Sequence, residues 1–221
     1  MSGERPAWIH STLSAARFQR YLTAANGDHP GALRLYQWNL DVSAAFYGPL
    51  HWLEISLRNG VHERLRAHFG SAQWWELVQL TDYGRRAVTK EHAKLKRQKQ
   101  AGFTADDVVA KLSLGFWVSL TSKGRGYDRT LWVPALHGAF PQFRGPRREL
   151  HERLSRLLEL RNRIMHHEPI FHLDLPGRRA EIYRVLGYLS QTLPVQAQRY
   201  DRVPELWDER PWEGEGSADP R

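Results

Sequence analysis

The stretch RRELHERLSRLLELRNRIMHHEP, residues 147–169, decides how the rest of the chain is read. At about 100° per residue, with Leu150 set at zero, Leu154 falls at about 40°, Leu157 at about −20°, Ile164 at about −40° and Met165 at about 60°. This one-sided apolar stripe predicts a helix over 147–166, closed by Pro169, because a proline disfavours helical backbone in the residue before it. Arg161 lands at about 20°, in the middle of the stripe. A guanidinium there must find partners or water, since burying an unpaired charge is costly. Two roles stay open for it. It can pair with a carboxylate such as Glu54 and hold helices together, or it can face a polar cleft and grip a phosphate with its planar fork. His166 and His167 follow just before Glu168-Pro169, where a loosened last turn would let an imidazole swing towards Arg161.

Working outward, helical patterns recur and no alternating strand pattern is found, so the expected fold class is all-α, a multi-helix bundle with short peripheral helices. Residues 11–25 read as a first helix with Leu13, Phe18, Tyr21 and Leu22 at near-helical spacing. Asn26-Gly27-Asp28-His29-Pro30-Gly31 is a break. A long pattern over 32–69 follows, split or kinked at Gly48-Pro49 and stopped by Gly70. Its second half places Leu50, Leu53, Leu57, Val61 and Leu65 on one face. Residues 82–100 read as a basic helix. Thr104-Ala105-Asp106-Asp107 caps an apolar helix over 108–120. A short helical stretch covers 131–140, and a last amphipathic helix covers 180–192. One domain is expected over 1–204. Residues 205–221, rich in Glu, Asp, Gly, Pro and Ser, read as a mobile acidic tail.

Composition bounds the function. The chain has 221 residues, no cysteine, nine tryptophans and a formal net charge of +8. The absence of cysteine excludes disulfides and thiolate metal sites and fits a reducing compartment. The start, Met1-Ser2-Gly3-Glu4-Arg5-Pro6, lacks a basic segment followed by an apolar one, so no secretory leader is expected. No apolar run approaches the roughly 20 residues of a membrane span, so a cytoplasmic protein without membrane contact is expected. The positive charge favours a polyanion, most often nucleic acid. Arg85, Arg86, Lys90, Lys94 and Arg97 on the basic helix, with Arg163 beside the motif, are the candidate RNA-binding residues, through salt-sensitive phosphate contacts. His167-Glu168…His172 has the wrong spacing for a zinc-protease motif, and Pro169 interrupts its helix. No metal and no cofactor is expected.

Arg and His together suit RNA cleavage. Histidine exchanges a proton near neutral pH, and arginine stabilises charge on phosphate oxygens. RNA brings its own nucleophile, the 2′-OH. The pattern Arg161-x4-His166, with Asn162 after the arginine, resembles the signature of the HEPN superfamily of helical ribonucleases. Leu160 to Ile170 is close to the form in its Abi-like, abortive-infection branch. Arg17-Phe18, Trp38-Asn39, Phe46-Tyr47, Leu53-Glu54, Leu57-Arg58-Asn59, Gly115-Phe116-Trp117 and Phe140-Pro141 also resemble family blocks, over roughly residues 11–195. The resemblance implies an all-α bundle and a metal-independent endoribonuclease leaving 2′,3′-cyclic phosphate ends. It implies a toxin in anti-phage defence acting on tRNA or mRNA, with a possible antitoxin or defence partner. Arg161 would hold the phosphate and His166 would move the proton, with His167 second in line. Asn162 would position the phosphate, and Glu54 and Arg58 would support the site. Paired motifs across a homodimer are expected, because only one full copy is present. The nearest second candidate, Arg58-Asn59-Gly60-Val61-His62, is one residue short. A non-catalytic RNA-binding or scaffold protein on the same fold is the alternative. Membrane-embedded proteases share the abortive-infection name, but the missing apolar spans argue against them.

Overall fold

The computed structural model describes residues 12–99 and 102–211. Among them are ten α-helices and no strand. They are α1 (Ala15–Ala24), α2 (His29–Ala45), α3 (Tyr47–Phe69), α4 (Asp82–Gln98), α5 (Ala105–Lys111), α6 (Leu114–Ser119), α7 (Arg147–Met165), α8 (Leu175–Leu189), α9 (Leu193–Gln198) and α10 (Val203–Asp208). Short 3-10 and π turns fill much of the connection between α6 and α7. No helix among the described residues is long and apolar enough to cross a membrane.

The local signals act where the sequence places them. Ser14, Asp28, Thr81 and Asp174 accept hydrogen bonds from backbone N–H groups at the starts of α1, α2, α4 and α8. Each satisfies a donor the helix cannot pair internally. Thr104 and Asp107 complete a capping box on α5. The break expected at Gly48-Pro49 falls slightly earlier, at Phe46 between α2 and α3, and Gly48-Pro49 lies in the first turn of α3. Pro49 is the third residue of α3, where a missing N–H interrupts no helical bond. Gly70 closes α3 in the left-handed region, with φ 65°.

α3 is the central helix. Leu50, Leu53, Leu57, Val61 and Leu65 are all buried, and α3 meets α2, α6, α8, α9 and the 3-10 turn Leu136–Ala139. α7 packs on α6 and α8. Its buried residues are Leu150, Leu154, Leu157, Leu160 and Ile164, while Met165 is exposed. The buried arc therefore centres at about −20° rather than on Arg161, which lies about 40° away on the edge shared with Met165.

Two segments differ from the reading of the sequence. The apolar helix expected over 108–120 is two helices, because Leu112 is extended at φ −67° and ψ 129°. Leu112 and Leu114 are both buried. Two residues apart on one helix they would point to opposite sides, and the extended residue lets both face the core. The stretch expected as a tail from 205 is folded at its start. Residues 203–208 form α10, which packs on α2. Trp207 lies 6.2 Å from Trp38 ring to ring, and Trp38 Nε1 donates to the Leu206 carbonyl at 2.7 Å. The acidic composition hid these contacts. The rest of the expected tail, 212–221, lies outside the described residues.

One buried histidine ties the fold to pH. His62 on α3 is 4% exposed, and its Nδ1 accepts from Trp74 Nε1 at 3.1 Å. Burial pushes its pKa below the usual 6.5, and His151 on α7 is lowered for the same reason. A base held neutral in the folded state but free to protonate when unfolded makes the unfolded chain the better proton acceptor, so stability falls as pH drops. Melting temperature should therefore fall as pH is lowered from about 7.5 to about 5.5, through the ordinary histidine range. His62→Gln, which keeps an acceptor for Trp74, should flatten that slope. An unchanged slope would show that His62 does not set it.

Candidate functional site

α7 ends in a hydrogen-bonded lock. The His167 N–H donates to the Ile164 carbonyl at 3.0 Å, and the Glu168 N–H donates to the Arg163 carbonyl at 2.8 Å. These two bonds form a Schellman motif with His167 in the left-handed position, at φ 56°. Glycine usually fills that position, because a side chain there is strained. A hydrophobic contact commonly braces the motif. Here an ion pair takes its place: Arg163 Nη1 lies 3.8 Å from Glu168 Oε2, and Arg163 Nη2 lies 3.2 Å from Glu159 Oε1. Arg163, expected as an RNA contact, is thus engaged by two carboxylates.

The turn after the lock is anchored from α2. Asn39 is buried, and its Oδ1 accepts from the backbone N–H groups of Ile170 and Phe171, at 2.8 and 3.1 Å. One side chain satisfies two buried donors and fixes where the chain leaves α7. The helix ends where the sequence placed its end, but through the left-handed His167 and this clamp as well as Pro169.

Arg161 reaches across to α3. Its Nε lies 3.3 Å from Glu54 Oε2, with the two side chains 28% and 26% exposed. Of the two roles left open by the sequence, the pairing with Glu54 is the one observed. Glu54 does not pair with Arg58 one turn on. Arg58 Nε donates to Asn59 Oδ1 at 3.2 Å instead. Glu54, Arg58 and Arg161 nonetheless share the wall of one cleft of about 300 Å³, with Tyr47, Leu50, His51, Ile55 and Met165. The cleft is open to solvent through Tyr47 and Met165, which are 60% and 40% exposed.

His51 is the residue the sequence reading missed. Tyr47, His51, Glu54 and Arg58 recur at i, i+4, i+7 and i+11, and so fall within about 60° on α3. The pattern was legible but lay beside the stronger leucine stripe. The His51 ring stacks on Tyr47, with centroids 6.0 Å apart. The motif residues do not all join this cleft. Asn162 is exposed and lines a different hollow with Ser155, Leu158, Glu159, Arg163 and Glu168. His166 and His167 are exposed at the helix end and are not among the residues lining the Arg161 cleft. His62 of the shorter Arg-x3-His sequence is taken into the core. Trp74 and Trp75 are buried too, as core rather than a stacking platform.

The chain matches no protein-family model, no curated protein and no solved structure. The resemblance to Abi-like HEPN proteins therefore rests on the motif and its flanking blocks.

The Arg161–Glu54 pair joins α7 to α3 at a partly screened position, where such pairs contribute up to about 1 kcal/mol. A double-mutant cycle of Arg161→Met and Glu54→Gln, followed by urea unfolding, should return a coupling energy of about 0.5–1 kcal/mol. A coupling near zero would mean that the pair does not hold the two helices. Asn39→Ala should cost more, about 2–4 kcal/mol, because it orphans two buried N–H groups at once. A loss below about 0.5 kcal/mol would show the clamp to be dispensable.

Proposed function

We propose that the protein is a metal-independent endoribonuclease of the Abi-like HEPN kind, acting as a toxin in anti-phage defence. The observation that carries the reading is the Arg161 guanidinium, held by Glu54 at the wall of an open cleft that also presents Arg58 and His51. In the reaction the 2′-OH attacks the adjacent phosphorus and loses its proton to a base. The bond from phosphorus to the 5′ oxygen breaks, and an acid returns a proton to that oxygen, leaving a 2′,3′-cyclic phosphate. Arg161 stabilises the charge that builds on the phosphate oxygens, and Glu54 orients it. His166 exchanges the proton, with His167 the alternative. His51 supplies a second titratable group on the cleft wall. Asn162 positions the RNA from the separate hollow that it lines with Arg163 and Glu168.

The exposure of His166 outside the cleft favours a site completed by a second copy, in which one subunit's helix end meets the other's cleft. Tyr47 and Met165 are exposed apolar contacts for such a homodimer. A defence partner or antitoxin would act by covering the same cleft. In this reading the protein works in the cytoplasm on tRNA or mRNA.

A second reading has one observation behind it. The Glu54 ion pair satisfies Arg161 within the chain, as a purely structural arginine requires. A non-catalytic RNA-binding scaffold would show this too. Incubation of the purified protein with total tRNA and mRNA separates the two. Cleavage should proceed in EDTA, and Arg161→Ala or His166→Ala should lower it at least a hundredfold, with the melting temperature close to wild type. Full activity in both variants would overturn the assignment, and salt-dependent binding without any cleavage would establish the scaffold reading.

A further inference from the structure

The basic helix α4 carries its cations in two separate stripes. Gly84, Val88 and Leu95 form its buried line. Measured around the axis from Gly84, Arg85 falls at about 100° and Lys96 at about 120°. On the same scale Arg86 falls at about 200°, Arg97 at about 220°, Lys90 at about 240° and Lys94 at about 280°. The first stripe borders a hollow lined by Trp75, Leu80, Val88, Thr89 and His92 among others. Its Arg85 is already engaged by Asp82 at 3.1 Å. The second stripe is different. Arg86, Lys90, Lys94 and Arg97 are exposed, and none has an ion pair among the described residues. They span about 16 Å along the helix. Like charges one turn apart repel, so this arrangement disfavours the free helix and is relieved by an anion.

At its first turns this stripe opens on a second element. Arg86 and Lys90 line a cleft of about 280 Å³ with Lys111 from the end of α5, and with Tyr83, Leu112 and Ser113. Glu91 is the one carboxylate among the lining residues, so cations outnumber it there. Two hydroxyl-bearing residues of the lining, Tyr83 and Ser113, also approach one another beside Gly115. An ideal Cβ on Gly115 would stand 2.8 Å from Tyr83 Oη and 3.7 Å from Ser113 Oγ. Ser113 precedes α6 but its side chain makes no capping bond. Three cations and two hydroxyl donors around a hollow of this size suit the oxygens of a phosphodiester.

We propose that Arg86, Lys90 and Lys111, with the Tyr83 and Ser113 hydroxyls, hold a backbone phosphate of an RNA chain that continues along α4 past Lys94 and Arg97. The inference rests on RNA being the ligand, but not on cleavage. Lys111 is new to the site, and Arg85 leaves it. The track anchors RNA through its backbone and without regard to sequence, apart from the Arg161 cleft.

The test uses the full chain and a fluorescent 2′-O-methyl RNA, which cannot be cut, with binding read by anisotropy over a salt series. Arg86→Ala, Lys90→Ala and Lys111→Ala combined should weaken binding at least tenfold at low salt. The combined variant should also reduce the salt slope by about 0.7, the amount for the one single-strand phosphate that is no longer neutralised. Arg85→Ala with Lys96→Ala, on the other edge of the same helix, should stay within about twofold of wild type. Thermal melts confirm that both variants fold. Unchanged affinity and slope in the triple variant, equal loss from both edges, or binding to anionic phospholipid vesicles in place of RNA would overturn the proposal. Failure of the nuclease reading is distinct: a wild type that never cuts RNA but loses binding in the triple variant leaves this track standing.

Discussion

An arginine close to the apolar stripe of a helix has to be answered by charge or by water, and here both answer it. Arg161 pairs with Glu54 across the gap between α7 and α3 and keeps about a quarter of its side chain exposed. That compromise opens the cleft. The same pair sets the chemistry available, because a guanidinium held at Nε by a carboxylate keeps further N–H donors on its two terminal nitrogens.

The lock at the end of α7 is the second constraint. A non-glycine residue in the left-handed region carries strain, and the surrounding bonds have to maintain it. Two backbone bonds, the Arg163–Glu168 pair and the Asn39 clamp do so within a few residues. The strained residue is itself one of the two exposed histidines, His166 and His167, and the fixed turn holds both at the surface. This turn gives the motif a geometry in which arginine and histidine face different surroundings within the chain.

What was legible in the sequence was local. The end of α7, the interruption near Gly48-Pro49 and the Thr104 cap follow from residues acting within a few positions of themselves. Glu54 could be named as the partner of Arg161 because few carboxylates lie on a helix face able to reach it. His51 could not be weighed against the leucines beside it until α3 and α7 were set at a distance. The α4 cations read in the sequence as one basic set; their division into two stripes waited on the burial of Gly84, Val88 and Leu95, and the contribution of Lys111 on how α5 folds back. Leu112 and Trp207 were misread for one reason. Composition and period describe an element in isolation, while burial of a particular side chain decided where each element stopped.

In the proposed reaction the Arg161 cleft cuts RNA by way of the 2′-OH. The most direct measurement is the chemistry at the new ends, made with an RNA that carries a single 2′-deoxy substitution at a mapped cut position. The account predicts 2′,3′-cyclic phosphate on the upstream fragment of the unsubstituted RNA, and no cut at the substituted position. Cleavage at the deoxy position, or fragments ending in a 5′-phosphate and a 3′-hydroxyl, would contradict it.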